Sequence, residues 1–393
     1  MFLTLFLPLK SQNESNLLVS DSFHIDKIEL FRYDVTTVRH FSFGSWDNRQ
    51  HLFLKISSGK YEGWSEVLAA TNTPEFNPLE WGAYLNEFKE LEINEAYNLL
   101  KKNQVKGSKL TNKQMELLEM GLLDLIGRIK GKPVTELLGL NMHKAVPGLF
   151  CVLDDSVNGV RKSVNNAINQ GFKSHFKIKM FGKKDLDLTL LQTIKGILDK
   201  KSVVIADANG GYKNMKNTDE MASILNEFKQ NGLYGIEDPA KMNMEQWKEL
   251  QLKVGDLNLI PDEPMRPSWE GYEKVNKKMG RIFNLHPCAM GSIIYMGKTA
   301  QKIKKFGGKV MIGDASFVGP GCSQWRQIAI GAGAEWVEAI DKNGDSDKFL
   351  SCVISEPTFR DKKGRFSMIR KSGFGIEIDS EKLKRICNTY FEL

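Results

Sequence analysis

The sequence predicts an α/β fold in two parts, an N-terminal α+β unit followed by a β/α barrel. Three observations predict it. The first ~145 residues read as strands and then helices. From Val146 onward, short apolar runs alternate with helical stretches, their starts roughly 25–30 residues apart. Three successive runs end in a carboxylate, and strand ends are where a β/α barrel presents its working side chains.

The elements follow in order. Residues 11–20 are polar and read as a linker, so that 1–22 forms a leader and linker. His24 to Glu66 is strand-like, with Ile25, Ile28, Leu30 and Tyr33 opening it and the run His51–Ile56 continuing it. Ser58-Gly59 then offers a turn before Trp64-Ser65-Glu66. Residues 84–142 carry apolar side chains at helical spacing, densest over Met115–Ile126, and Gly131 and Pro133 punctuate the next short helix. The candidate barrel strands are Val146–Leu153, His175–Met180, Val203–Ala208, Leu233–Asp238, Leu257–Asp262, Arg281–His286, Val310–Gly313 and Trp336–Ile340. An open doubly wound sheet would usually carry a glycine-rich loop after its first strand, and Leu153-Asp-Asp-Ser-Val-Asn-Gly159 is not one.

Composition sets bounds. A chain of 393 residues suits a barrel of ~250 residues plus one further domain. The net charge of +7 comes from scattered lysines such as Lys183-Lys184 and Lys200-Lys201, not from the clustered basic face that nucleic acid requires. No apolar run approaches the ~18–20 residues of a membrane span. The five cysteines, Cys151, Cys288, Cys322, Cys352 and Cys387, are odd in number and contain no Cys-x-x-Cys pair. They fit a reducing, cytoplasmic setting. The apolar stretch Met1–Leu9 contains Pro8 and is a poorly formed secretory signal, which keeps secretion as the alternative.

The chemistry is concentrated at the strand ends. Lys177 and Lys179 point to the same side of the second strand, because alternate residues share a face. Two ammonium groups aimed into a barrel are costly unless anions meet them. The next three strands end in Asp207, Glu237 and Asp262, at intervals of 30 and 25 residues. Carboxylates that converge repel one another and call for a cation. All-oxygen donors suit Mg²⁺, and no Cys or His cluster favours zinc. Ordinary salt bridges at strand ends are the alternative.

The ordered set of motifs resembles the enolase superfamily, in its mandelate racemase and muconate-lactonizing branch, over about residues 25–380. It comprises Gly63-Trp64-Ser65-Glu66, Gly131-Lys-Pro-Val-Thr-Glu-Leu-Leu-Gly139, Lys177-Ile-Lys179, Asp207-Ala-Asn209, Glu237-Asp-Pro239, Asp262-Glu263 and Gly373-Phe-Gly-Ile-Glu377. The resemblance implies a modified (β/α)7β-type TIM barrel. An α+β capping domain would span 23–145, the barrel 146–370, and a C-terminal return to the cap 371–393. It also implies abstraction of the proton α to a substrate carboxylate, giving a Mg²⁺-stabilised enediolate. Asp207, Glu237 and Asp262 would be the metal ligands, Lys179 the base on one face, and Lys177 a holder of the substrate carboxylate. Positive neighbours are expected to lower the pKa of Lys179.

The sequence departs from the commonest pattern on strand six. His286 stands where many relatives carry a second lysine, and Asp314 follows on strand seven. The pair resembles the strand-six Asp and strand-seven His of the mandelate racemase type with places exchanged, so His286 is expected to be an acid/base oriented by Asp314. Glu338 occupies the position of a carboxylate that meets the substrate, with a barrel salt bridge as its alternative. Asn209 is expected to support Lys179 or the metal, and Glu263 to partner a nearby lysine. The segment His40–Asp47 is expected to close over the barrel mouth.

Together these readings predict a homo-oligomeric racemase or epimerase acting on a small carboxylate. An acid-sugar-type dehydratase or a cycloisomerase using the same enolate is one alternative, and a non-catalytic metal-binding relative the other.

Overall fold

The computed structural model describes residues 16–20, 22–213 and 217–393. Most of the leader expected over 1–22 lies outside them.

The cap is built on an antiparallel sheet. Strands β1 (Lys27–Val35), β4 (Arg49–Ser58) and β5 (Tyr61–Thr71) pair in that order, and the last strand of the chain, Thr389–Glu392, adds to the free edge of β1. A small hairpin, β2 (Arg39–Phe41) and β3 (Gly44–Trp46), stands between β1 and β4. Helix Asn112–Lys130 covers the sheet. It begins with a reciprocal cap between Thr111 and Gln114 and ends at Gly131, whose left-handed φ of 66° closes the last turn. Helix and sheet meet at two glycines: a Cβ on Gly63 would lie 2.2 Å from the Gly121 carbonyl oxygen.

The barrel strands are β7 (Phe150–Val152), β8 (His175–Lys179), β9 (Val203–Asp207), β10 (Gly235–Glu237), β11 (Asn258–Ile260), β12 (Ile282–Leu285) and β13 (Lys309–Ile312). They are parallel, with β7 to β11 in one run and β12 beside β13. The Asn284 N–H donates to the Pro261 carbonyl at 3.0 Å and links the two runs. The eighth position is a two-sided bridge at Val337 rather than the expected strand Trp336–Ile340. Val337 touches Ile312 on one side and Gly148 on the other, and its N–H reaches the Pro147 carbonyl at 2.9 Å. Leu149, Ile205, Ile260, Ile282, Met311 and Trp336 fill the interior.

The first expected barrel strand is also divided. Val146–Pro147 (β6) pairs outward with Arg365–Met368, and only Phe150–Val152 joins the barrel. Pro147 has no N–H to give a ladder. Gly148 lets the chain cross between the two sheets, where a Cβ would meet the Phe172 ring at 2.8 Å.

Buried acids of the cap tie it to the rest of the chain. Glu66 on β5 accepts the N–H groups of Val318, Gly319 and Gly321, at the start of helix Pro320–Ala332. Anions are favoured there, because the first N–H groups of a helix lack partners. Asp124 in the cap helix accepts from the N–H groups of Trp64 and Phe374, tying Gly63–Glu66 to Gly373–Glu377. No helix among the described residues is long and apolar enough to cross a membrane.

Candidate active site

The C-terminal ends of the barrel strands open into a cavity of about 680 Å³, roofed by the β2–β3 hairpin. Phe41 and Phe43 stack with ring centroids 5.0 Å apart, and Trp46 packs on Phe41 at 4.5 Å. Ser42 donates to the Ala208 carbonyl at 2.9 Å and fixes the hairpin on the barrel rim.

Lys177 and Lys179 project inward from β8 and are nearly fully buried. The Lys177 ammonium lies 2.6 Å from Glu338, 3.2 Å from Glu237 and 3.4 Å from Asp207. Lys179 donates to Asp207 at 2.5 Å and to the Asn209 amide oxygen at 3.0 Å, and its Nζ stands 5.2 Å from the centre of the Phe41 ring. Asn209 takes a left-handed φ of 45° and returns its own N–H to Asp207 at 2.9 Å.

These contacts set the protonation states. Burial pushes the Lys179 pKa down, but the Asp207 carboxylate outweighs it and leaves the lysine above its ordinary value. The lowering expected from positive neighbours is therefore not found. Lys177 is likewise raised, because Glu237, Glu338 and Asp207 override the cost of burial. Asp207 is held below the usual carboxylate range; burial opposes this, and Lys179 and Lys177 prevail. Glu237 is pushed up to about 7, by burial first and then by Asp207.

Asp262 ends the third acidic strand under a different partner. Arg266, just past the turn Glu263–Met265, binds it in a two-pronged fork, with Nε 2.7 Å from Oδ1 and Nη2 on Oδ2. Glu263 does not meet the role expected of it. Its side chain is exposed, and it is its backbone N–H that is engaged, by Asp238 at 2.9 Å. Asp238 also takes the Asp262 N–H at 3.0 Å and so shapes the loop beneath the site.

His286 follows β12 and lines the cavity. Its Nδ1 lies 2.7 Å from the Pro287 carbonyl. A carbonyl only accepts, so Nδ1 carries the hydrogen and Nε2 presents a lone pair. Burial and the nearby Arg266 push the imidazole pKa down to about 3, so the ring is neutral. The expected pairing with Asp314 does not form. Asp314 is held by Lys342 at 2.9 Å and by the Phe317 N–H at 3.2 Å. A full positive charge outcompetes a neutral imidazole for that carboxylate, and the adjacent carbonyl satisfies Nδ1.

The donor set suits a hard divalent cation. Asp207, Glu237 and Asp262 are buried on adjacent strand ends. Asn284 donates to Glu237 at 2.8 Å while its own amide oxygen is buried without a partner, so acceptor oxygens are in excess here. The three acids nevertheless do not converge as a ready chelate. Among the described residues, no group of three or more acidic, histidine or cysteine side chains is arranged around one point, and each acid leans on a cation.

Sequence reasoning missed Arg266, Asn284 and Asp238. Asn284 had a signal: it lies two residues before His286 and so shares its strand face. Arg266 had only its four-residue distance from Asp262, in a segment with no helical pattern to give that spacing meaning.

Residues 159–382 match the family model described as enolase C-terminal domain-like. The chain belongs to the enolase superfamily. Its place is the mandelate racemase and muconate-lactonizing branch. It is 22% identical over 310 residues to the o-succinylbenzoate synthase of Listeria innocua serovar 6a, covering 78% of this chain and 76% of that one. The fold is similar to muconate lactonizing enzyme from Pseudomonas fluorescens, solved with muconolactone, at a TM-score of 0.76 and 19% identity over 93% of this chain and 100% of the other. It is equally similar to dipeptide epimerase from Cytophaga hutchinsonii, solved with Mg and the dipeptide D-Ala-L-Val, at 0.76 and 16% identity over 94% of this chain and 99% of that one. These likenesses establish a TIM-barrel fold with an N-terminal capping domain for this enolase-superfamily chain.

Proposed function

We propose that this chain is a Mg²⁺-dependent racemase or epimerase that removes and returns the proton α to a substrate carboxylate. One observation carries the reading. Lys179 ends the second barrel strand and His286 follows the sixth, so in a barrel of eight positions they face one another across the mouth, and both line the same cavity. The acids of strands three, four and five lie between them.

Asp207, Glu237 and Asp262 would hold the metal, which supplies fixed positive charge where the substrate carboxylate gains electron density. Removing an α-proton beside a carboxylate builds a second negative charge, and the Lys177 ammonium is placed to share it. Glu338 fixes that ammonium at 2.6 Å. One face exchanges its proton with Lys179 Nζ, held by Asp207 and Asn209. The other exchanges with His286 Nε2, whose ring is aligned through the Pro287 carbonyl. Phe41, Phe43 and Trp46 close the cavity on the cap side and limit water there.

A second reading, loss or rearrangement of a group from the same enolate, is favoured by one feature. His286 has no carboxylate behind it to stabilise its charged form, which weakens it as the base of the second face.

The test is deuterium incorporation in D₂O with Mg²⁺, across dipeptides, N-acylamino acids, sugar acids and 2-hydroxy acids. Exchange at the α-carbon from both antipodes, with the skeleton intact, supports the racemase. Loss of water or ring closure supports the second reading. Exchange that survives both Lys179→Met and His286→Asn sinks the proposal.

A further inference from the structure

We propose that Arg266 competes with the metal for Asp262, acting as a removable cation built into the site. The inference rests on the metal-dependent reading above and concerns what must move before that metal is held by three ligands.

The three acids are neutralised in two different ways. Lys177 and Lys179 rise from the strand floor, with side chains 2% and 9% exposed. They have nowhere else to go, and Asp207 keeps Oδ1 turned to the Asn209 N–H while its Oδ2 meets both lysines. Arg266 is placed differently. It reaches Asp262 from the cavity side on an arm 30% exposed, whereas Asp262 itself is 2% exposed. The guanidinium lines the cavity and Asp262 does not, so the fork lies between this carboxylate and the open space.

A planar fork engages both carboxylate oxygens and sets a full positive charge on the cavity side of Asp262, where it repels a metal drawn to the same group. Asp262 joins Asp207 and Glu237 only when the arm swings away, and the cavity of about 680 Å³ has room to receive it. The swing leaves a guanidinium free beside His286, facing whatever anion fills the cavity. Metal binding and anion binding are then linked through one side chain, since each is easier once the arm has left Asp262.

The experiment is titration with Mn²⁺ alone, followed by the loss of free-ion EPR signal, on the full chain. It compares the wild type, Arg266→Gln, Arg266→Lys, Asp262→Asn and the Arg266→Gln/Asp262→Asn double variant, with circular dichroism as the check on folding. Removing a two-pronged charged competitor is expected to tighten Mn²⁺ binding about tenfold or more in Arg266→Gln. Arg266→Lys falls between, because an ammonium cannot fork. In the Asp262→Asn background the same arginine change has no effect. Equal affinity in the wild type and Arg266→Gln, with both binding, overturns the competition and leaves the metal reading intact. Binding in neither sinks the metal reading, and the competition with it.

Discussion

Replacing Glu66 by glutamine tests how much of the hold between cap and barrel passes through one buried carboxylate. In the structure Oε1 accepts the Val318 N–H at 2.9 Å and lies 3.0 Å from His51 Nδ1, while Oε2 accepts the Gly319 and Gly321 N–H groups at 2.9 and 3.0 Å. An amide keeps one accepting oxygen. Its NH₂ must face either the two glycine N–H groups or the Val318–His51 side, and donors then meet donors. A buried hydrogen bond to a charged group contributes about 1.5–3 kcal/mol, and a buried donor left unmade costs about 1–3 kcal/mol. One oxygen's share of this network is therefore worth ~2–4 kcal/mol. Urea titration followed by tryptophan emission suits the site, because Trp64 and Trp325 are buried on the two elements that Glu66 joins. A loss below about 1 kcal/mol, within the range of ordinary surface changes, would refute the claim that this carboxylate anchors the two domains.

Other outcomes follow from particular contacts. Lys179→Met and His286→Asn should each lower α-deuterium exchange by about 10²–10⁴, the usual share of a general acid or base, and each with one antipode of the substrate more than the other. Gly63→Ala places a methyl 2.2 Å from the Gly121 oxygen and 2.7 Å from the Leu125 nitrogen, so helix and sheet must separate, and urea titration should show a loss of at least ~1–3 kcal/mol. Burial pushes Glu116 up to about 8 although the Cys288 and Met290 N–H groups point at it. The unfolded chain ionises first, so the folded state loses stability as pH rises from about 4.5 to about 8. Urea midpoints over that range should fall in the wild type and fall less in Glu116→Gln.

What the sequence made legible is what obeys a local period. The two-residue alternation of strands put Lys177 and Lys179 on one side, and the spacing of strand ends put Asp207, Glu237 and Asp262 around one mouth. What it hid depends on chain distant in sequence or on geometry without a period. Lys342 captures Asp314 from 28 residues away (342 minus 314), and a single carbonyl next door satisfies His286. Both contacts are compatible with a His–Asp dyad in the one-dimensional reading, and only relative charge decides against it. The eighth strand failed for a similar reason. Trp336–Ile340 is apolar enough for a strand, yet barrel closure needs only one residue there, Val337, with a ladder bond on each side.

The charge balance at the mouth gives the proposed reaction an order. With every carboxylate ionised, Asp207, Glu237, Asp262 and Glu338 give four negative charges, and Lys177, Lys179 and Arg266 three positive. Asp314 and Lys342 cancel, and Asp238 turns its carboxylate to the Asp262 and Glu263 N–H groups beneath the site, outside the cavity lining. In that ionised state the paired set carries a net charge of one negative, which opposes entry of a carboxylate. A divalent cation reverses the sign to one positive, and a monoanionic substrate then brings the mouth to neutrality. Beside buried protein groups that difference acts more strongly than in bulk water. Carboxylate ligands should thus bind measurably only after the metal. Their retention in calorimetry with EDTA present, at unchanged affinity, would show that the lysines and Arg266 suffice to hold the anion without it.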